Sequence, residues 1–127
     1  MPAVIYDTGA LVAAERNKPA LWEIHAEALA VGVRPIVPVV VLAQAWRGGP
    51  QHNLSRLLRG CRILPDTEET GRAAGAACAA ARTSDVVDAI VVVIAVRLGD
   101  ALVVTTDPGD IEHLATSIGA KLPLHAI

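Results

Sequence analysis

The residues in this sequence that could carry chemistry are aspartates placed at the ends of apolar runs. Asp7 directly follows Val4-Ile5-Tyr6, and Asp107 follows Val103-Val104-Thr105. Asp85 and Asp88 lie three apart at the head of the apolar stretch Ala89 to Val96, so on a helix they share a face. In a parallel α/β sheet the strand C-termini share one edge, and ligands bind in the crevice there. If the two strands are parallel neighbours, Asp7 and Asp107 come close, and neither acid is needed for folding at its place. Asp85 also has an ordinary reading as a helix N-cap, with Asp88 complementing the helix dipole. The apolar helix behind Asp88 would nevertheless anchor its carboxylate at the sheet edge.

Carboxylates gathered without matching Lys or Arg raise one another's pKa and cost stability, and a divalent cation is the usual remedy. An all-oxygen site suits Mg²⁺ or Mn²⁺, whereas zinc would want His or Cys. His25, His52, His113 and His125 lie in no ligand motif and read as surface or structural residues. A cation with open water positions lowers the pKa of water and neutralises charge building on a phosphate, which is the equipment for hydrolysing a phosphodiester. No P-loop occurs, so nucleoside triphosphate chemistry is not expected.

The elements that must position these acids alternate between strand-like and helix-like, the pattern of an α/β fold with a parallel sheet. Ala3 to Tyr6 reads as a buried strand and Thr8 to Arg16 as a helix, broken at Asn17-Lys18-Pro19. Pro19 suits the first turn of a second helix reaching Val31, with Gly32 after it. Arg34 to Val37 is a second strand. Pro38 can start the next helix, which ends at Gly48-Gly49-Pro50, and a further helix covers Gln51 to Arg59. Arg62 to Leu64 is a third strand. Asp66 or Thr67 caps a long Ala-rich helix to Arg82, and Thr83-Ser84-Asp85 breaks it and caps the next, which runs to Leu98. Ala101 to Thr105 is a strand, Asp107-Pro108 opens a last helix to Ile118, and Lys121 to Leu124 is an edge strand.

With 127 residues the chain makes one domain, 1–127, with a single core. Hydrophobic residues are 53% and charged residues 19%, a globular composition. Aromatics are 2% and Phe is absent, so base reading by aromatic stacking is disfavoured. The formal charge of -2 argues against tight non-specific binding of long duplexes, but it permits a basic rim around an acidic centre. Cys61 and Cys78 lack metal or CxxC spacing and read as reduced core residues, which fits a cytoplasmic location. No signal peptide is read at Met1-Pro2-Ala3, and the longest apolar run is about half of what a bilayer needs.

Taken together, Val4-Ile5-Tyr6-Asp7-Thr8-Gly9-Ala10-Leu11, Asp88-Ala89-Ile90 through Ala95, and Val103-Val104-Thr105-Thr106-Asp107-Pro108-Gly109-Asp110 resemble the PIN-domain family, and in order, spacing and length the VapC-type toxins. The resemblance covers the whole chain. It implies a PIN-like three-layer α/β/α fold with a central parallel sheet of four or five short strands. It also implies a metal-dependent endoribonuclease, the toxin of a toxin–antitoxin pair. Asp7, Asp88 and Asp107 would hold Mg²⁺ or Mn²⁺ and be catalytic, with Asp85 and Asp110 as further candidate ligands and Thr8, Gln44 and Thr105 supporting them. Implied partners are a cognate antitoxin, structured RNA such as tRNA or rRNA, and a second copy of the chain; no membrane is implied. Arg16, Arg47, Arg56 and Arg59 are candidate RNA contacts or solvated helix faces. Trp22 and Trp46 read as packing or interface residues.

The sequence departs from the PIN pattern at Gln44, where the helix after the second strand usually carries a glutamate. An amide is neutral and a poor ligand. Asp85, Asp110 or a water held by Gln44 can compensate; otherwise the chain is a catalytically weakened PIN module that binds RNA or protein. Two other enzyme classes share local features. Asp7-Thr8-Gly9-Ala10 spells an aspartic-protease motif, but that fold is all-β. A haloacid-dehalogenase phosphohydrolase would want a second aspartate at position 9, where Gly9 stands.

Overall fold

Val4-Ile5-Tyr6 is fully buried, as a strand covered on both faces must be, and it forms the central strand β1 (Val4–Tyr6) of the computed structural model, which describes residues 1–127. The chain continues through α1 (Thr8–Glu15), α2 (Pro19–Ala30), β2 (Ile36–Pro38), α3 (Val39–Ala45), α4 (His52–Arg59) and β3 (Arg62–Leu64). It then runs through α5 (Glu68–Ala81), α6 (Val86–Arg97), β4 (Leu102–Thr105), α7 (Pro108–Ser117) and β5 (Leu124–Ala126). The five strands lie in the order β3-β2-β1-β4-β5, and every pair is parallel. The fold is thus the expected PIN-like α/β/α arrangement.

Right-handed crossovers decide the layers. The chain steps from β1 outward to β2 and β3, then returns past β1 to β4 and β5, so its helices fall on opposite faces. On one face α1 packs against α2, α3 and α4; on the other α5, α6 and α7 pack together. The order reverses between β1 and β4, and such a switch point opens a crevice at the strand C-termini. Thirty-five buried residues form one core cluster, and seven consecutive ones, Ala89 to Ala95, belong to α6. No helix is long and apolar enough to cross a membrane. Cys61 and Cys78 are unpaired and buried, and burial pushes the Cys61 thiol up to about 12.

Three boundaries differ from expectation for identifiable reasons. The second strand spans Ile36–Pro38 and not Arg34–Val37, because its register with β3 pairs Ile36, Val37 and Pro38 with Arg62, Ile63 and Leu64. The helix that follows stops at Ala45, well before Gly48. Gln51 ends it by accepting from the Arg47 amide and donating to the Ala45 carbonyl. The final strand begins at Leu124, where the expected one ended. Pro123 has no N–H to give, and its carbonyl instead accepts from Val103.

One buried polar pair ties β1 to α2. The Tyr6 hydroxyl lies 2.7 Å from Nδ1 of His25, which is itself buried, and Trp22 meets the same imidazole edge-on. Burial holds the His25 pKa below its usual value, because imidazolium is poorly solvated there. The unfolded chain takes up this proton near pH 6.5, and the folded chain only at lower pH. The stability due to neutral His25 is therefore fully present above about pH 6.5 and is lost as pH falls from there. At neutral pH, Tyr6→Phe should cost about 1–3 kcal/mol by leaving a buried ring nitrogen unpaired. Urea denaturation checks this, and an unchanged midpoint would show that the pair contributes nothing.

Candidate metal centre

The register of β1 on β4 places the two strand-end acids. Ile5 pairs with Val103 and Tyr6 with Val104, and the Asp7 amide donates to the Val104 carbonyl. Asp7 therefore leaves its strand beside Thr105, two residues before Asp107. A close approach behind it holds this junction. A Cβ on Gly9 would lie 3.0 Å from the Thr106 Cβ and closer still to the hydroxyl, so only glycine lets the first turn of α1 rest on the end of β4. Gly9→Ala should destabilise by about 1–3 kcal/mol through overpacking. A thermal melt within a degree of wild type would show that the two segments are free to separate.

Asp7 is 4% exposed, and its Oδ1 accepts from the Ala10 amide at 2.9 Å. This corrects the expectation that Asp7 plays no part in folding, because it is the side-chain cap of α1. Burial raises its pKa. Thr105 and the Ala10 amide pull it back, and the Asp107 charge raises it again.

Asp85 departs from expectation in the opposite direction. It occupies the N-cap position of α6, yet its side chain makes no capping bond, and its amide is taken by the Thr83 hydroxyl. Its backbone ψ is 75°, away from the extended geometry of the two acceptors that do cap, Asp7 at ψ −178° and Thr67 at ψ 162°. Asp107 behaves likewise at the head of α7, with ψ 70° and no side-chain cap, its amide donating to the Thr105 hydroxyl. The Asp85 carboxylate is thereby left to Asp88 and Asp110, and that of Asp107 to Asp110.

Carboxylate oxygens of Asp85, Asp88 and Asp110 all lie within 4.8 Å of one another. Asp7 and Asp107 stand beside this trio and are not part of so tight a set. The five acids are one electrostatic unit. Burial first, then a hydrogen bond and repulsion from Asp85, then Asp7 and Asp110, push Asp88 up to about 7. Asp110 is raised by a hydrogen bond with Asp107 and by its charge, and His113 partly offsets this. Crowding of like charges in this centre thus favours the protonated form of Asp88 and Asp110 over their usual state. No Lys or Arg is paired with it: the two ion pairs of the chain, Arg72–Glu68 and Arg97–Glu69, tie α5 to itself and to α6.

The donor set fits a hard divalent cation. Two oxygens on one octahedral Mg²⁺ can be at most about 4.2 Å apart, since each bond is about 2.1 Å. Oxygens within 4.8 Å reach that span with a small side-chain adjustment.

The remaining candidates divide. The Thr8 hydroxyl, next in chain to Asp7, donates to Gln44 Oε1 at 2.5 Å, so both stand at the rim. Arg16, Gln44 and Arg47 share a groove between α1 and the α3–α4 segment. Arg56 lies 4.1 Å over the Trp22 ring and is engaged in packing, and Arg59 is exposed on α4 outside that groove. Trp46, the residue after α3, is 42% exposed. Sequence reasoning gave the closeness of Asp85, Asp88 and Asp110 no special weight; the matching three-residue spacings at two helix starts were its one available signal.

No protein-family model and no curated protein sequence matches the chain. Solved structures resemble it in fold, among them these two. One is VapBC2 from Rickettsia felis bound to a DNA fragment from their promoter, with TM-score 0.71 and 17% identity over 98% of each chain. The other is PAE2754 from Pyrobaculum aerophilum, with TM-score 0.64 and 17% identity over 97% of this chain and 83% of that one.

Proposed function

We propose that this chain is a Mg²⁺- or Mn²⁺-dependent endoribonuclease and the toxin of a toxin–antitoxin pair. The observation that carries the reading is the convergence of five aspartates, without a basic counter-charge, at the switch point of a parallel sheet. The likeness of fold to a VapBC2 chain supports the class. Asp88 would hold the ion together with Asp7 and Asp107, and Asp85 and Asp110 complete the sphere. When bound, the cation supplies a hydroxide at neutral pH and neutralises charge on the phosphate. The chain's own share is to fix the acids. Asp7 is locked by the Ala10 amide, and Asp88 is anchored by the buried α6. By the same reading, an antitoxin covers the site, the protein pairs with a second copy of itself, and it works in the cytoplasm on structured RNA.

The test is purified protein with total RNA, with Mn²⁺ or with EDTA, beside Asp7→Asn as the control. Asn is chosen over Ala because it can still accept the Ala10 amide. Cleavage is expected with Mn²⁺ only, and in wild type only. Cleavage that survives both EDTA and Asp7→Asn would defeat the metal reading.

A further inference from the structure

We propose that Gln44 is a hydrogen-bond donor to an RNA backbone phosphate, and not a ligand of the ion; the inference rests on the nuclease reading above. The Thr8 hydroxyl occupies the Gln44 carbonyl oxygen at 2.5 Å, and Gln44 Nε2 has no partner within the chain. An amide nitrogen offers two N–H groups and no acceptor. What Gln44 presents at the rim is therefore a donor, and donors serve anions and not cations.

The surroundings on this side suit an anion. Gln44 lines a groove of about 210 Å³ that also holds Arg16 and Arg47. The one acid in it, Glu15, has a carboxylate oxygen occupied at 2.7 Å by the Leu54 amide in the first turn of α4. Arg47 spends Nη1 on the Ala43 and Trp46 carbonyls, which leaves Nε and Nη2 unpartnered, and Arg16 makes no ion pair. The groove follows α1, whose first residue, Thr8, adjoins Asp7. A polyanion held by Arg16 and Arg47 would thus reach the acidic centre past Gln44. A glutamate at this point would add a second acid to a groove whose only other one is Glu15, and would repel the incoming phosphate. The amide supplies a contact without that repulsion, and Thr8 fixes which end faces the RNA.

The probe is a fluorescent 2′-O-methyl RNA oligonucleotide, verified to stay intact over the titration, titrated in Mn²⁺ against wild type, Gln44→Met and Thr8→Val. Gln44 is exposed, so Gln44→Met should melt as wild type does. Both variants are expected to bind the RNA about five- to ten-fold more weakly with Mn²⁺ affinity unchanged by calorimetry. Because Gln44 is neutral, the salt dependence of RNA binding should stay the same in Gln44→Met, whereas Arg16→Gln should flatten its slope by about 0.7. Unchanged RNA affinity in Gln44→Met overturns the proposal, as does an equal loss of Mn²⁺ affinity. A wild type that binds the oligonucleotide but cleaves no RNA with Mn²⁺ defeats the nuclease reading and leaves the phosphate contact standing. A wild type that does not bind it overturns the contact.

Discussion

Asp88→Asn is expected to give a protein that melts higher than wild type at pH 8 and cleaves RNA about a thousand-fold more slowly. The loss follows from the ion: several kcal/mol of transition-state stabilisation depend on it, about three powers of ten in rate. The gain follows from the folded-state pKa of about 7. Near pH 5 the folded chain keeps a proton on Asp88 that the unfolded chain has released. Stability therefore falls as pH rises from about 4 to about 7, and above that the folded chain carries the full repulsion. Asparagine removes the charge and keeps a hydrogen bond available to Asp85. After discounting for solvent at this half-buried position, the gain is about 1–3 kcal/mol, or several degrees in Tm. The difference should narrow by pH 5 and close only below about pH 4, where Asp88 is protonated in both the folded and the unfolded wild type. Melts in EDTA at pH 5 and pH 8, beside a cleavage assay, read both limbs. A lower Tm for the variant at pH 8 would show that Asp88 is a structural acid satisfied by its surroundings, and the electrostatic account of the site would go with it.

The residues that made this site legible are those whose environment is local. Val4-Ile5-Tyr6 and Val103-Val104-Thr105 could only be buried strands, and an acid at the end of each had to reach the same edge once the strands were parallel neighbours. The seven buried residues after Asp88 announce a helix enclosed on all sides, and a helix start there fixes the acid's direction. What stayed hidden depends on distant pairs or on single torsions. Whether an acid at a helix start caps the helix turns on its ψ: Asp7 caps, Asp85 and Asp107 do not, and nothing in their neighbours' identities says so. The closeness of Asp85 and Asp88 to Asp110 needs the starts of α6 and α7 to meet, which is a matter of helix packing. Arg56 looks like a free cation until Trp22, thirty-four positions earlier in the chain, is placed beneath it. Gly9 looks like a poor helix residue until Thr106 is found against it.

Adding Mn²⁺ at pH 8 is expected to raise the melting temperature by several degrees, and the same addition at pH 5 to raise it far less. An ion bound only by the folded chain stabilises it by RT ln(1 + [Mn²⁺]/Kd), about 2.7 kcal/mol at a hundredfold excess over Kd. At pH 5 the ion must displace the proton held on Asp88, whose carboxyl burial and the neighbouring acids push up to about 7, while Asp7 and Asp110 are shifted in the same direction. Binding therefore weakens as pH falls, with proton release that calorimetry in two buffers can count. EDTA should abolish the shift, as should Asp88→Asn, because Asp88 belongs both to the set expected from the strand ends and to the tight set observed. Two further variants locate the ion. A shift lost in Asp110→Asn but kept in Asp107→Asn seats it among Asp85, Asp88 and Asp110; the reverse seats it among Asp7, Asp88 and Asp107. No shift at pH 8 with millimolar Mn²⁺ would mean that five converging carboxylates are kept apart by protons and water alone, and a nuclease built on them would have no ion to work with.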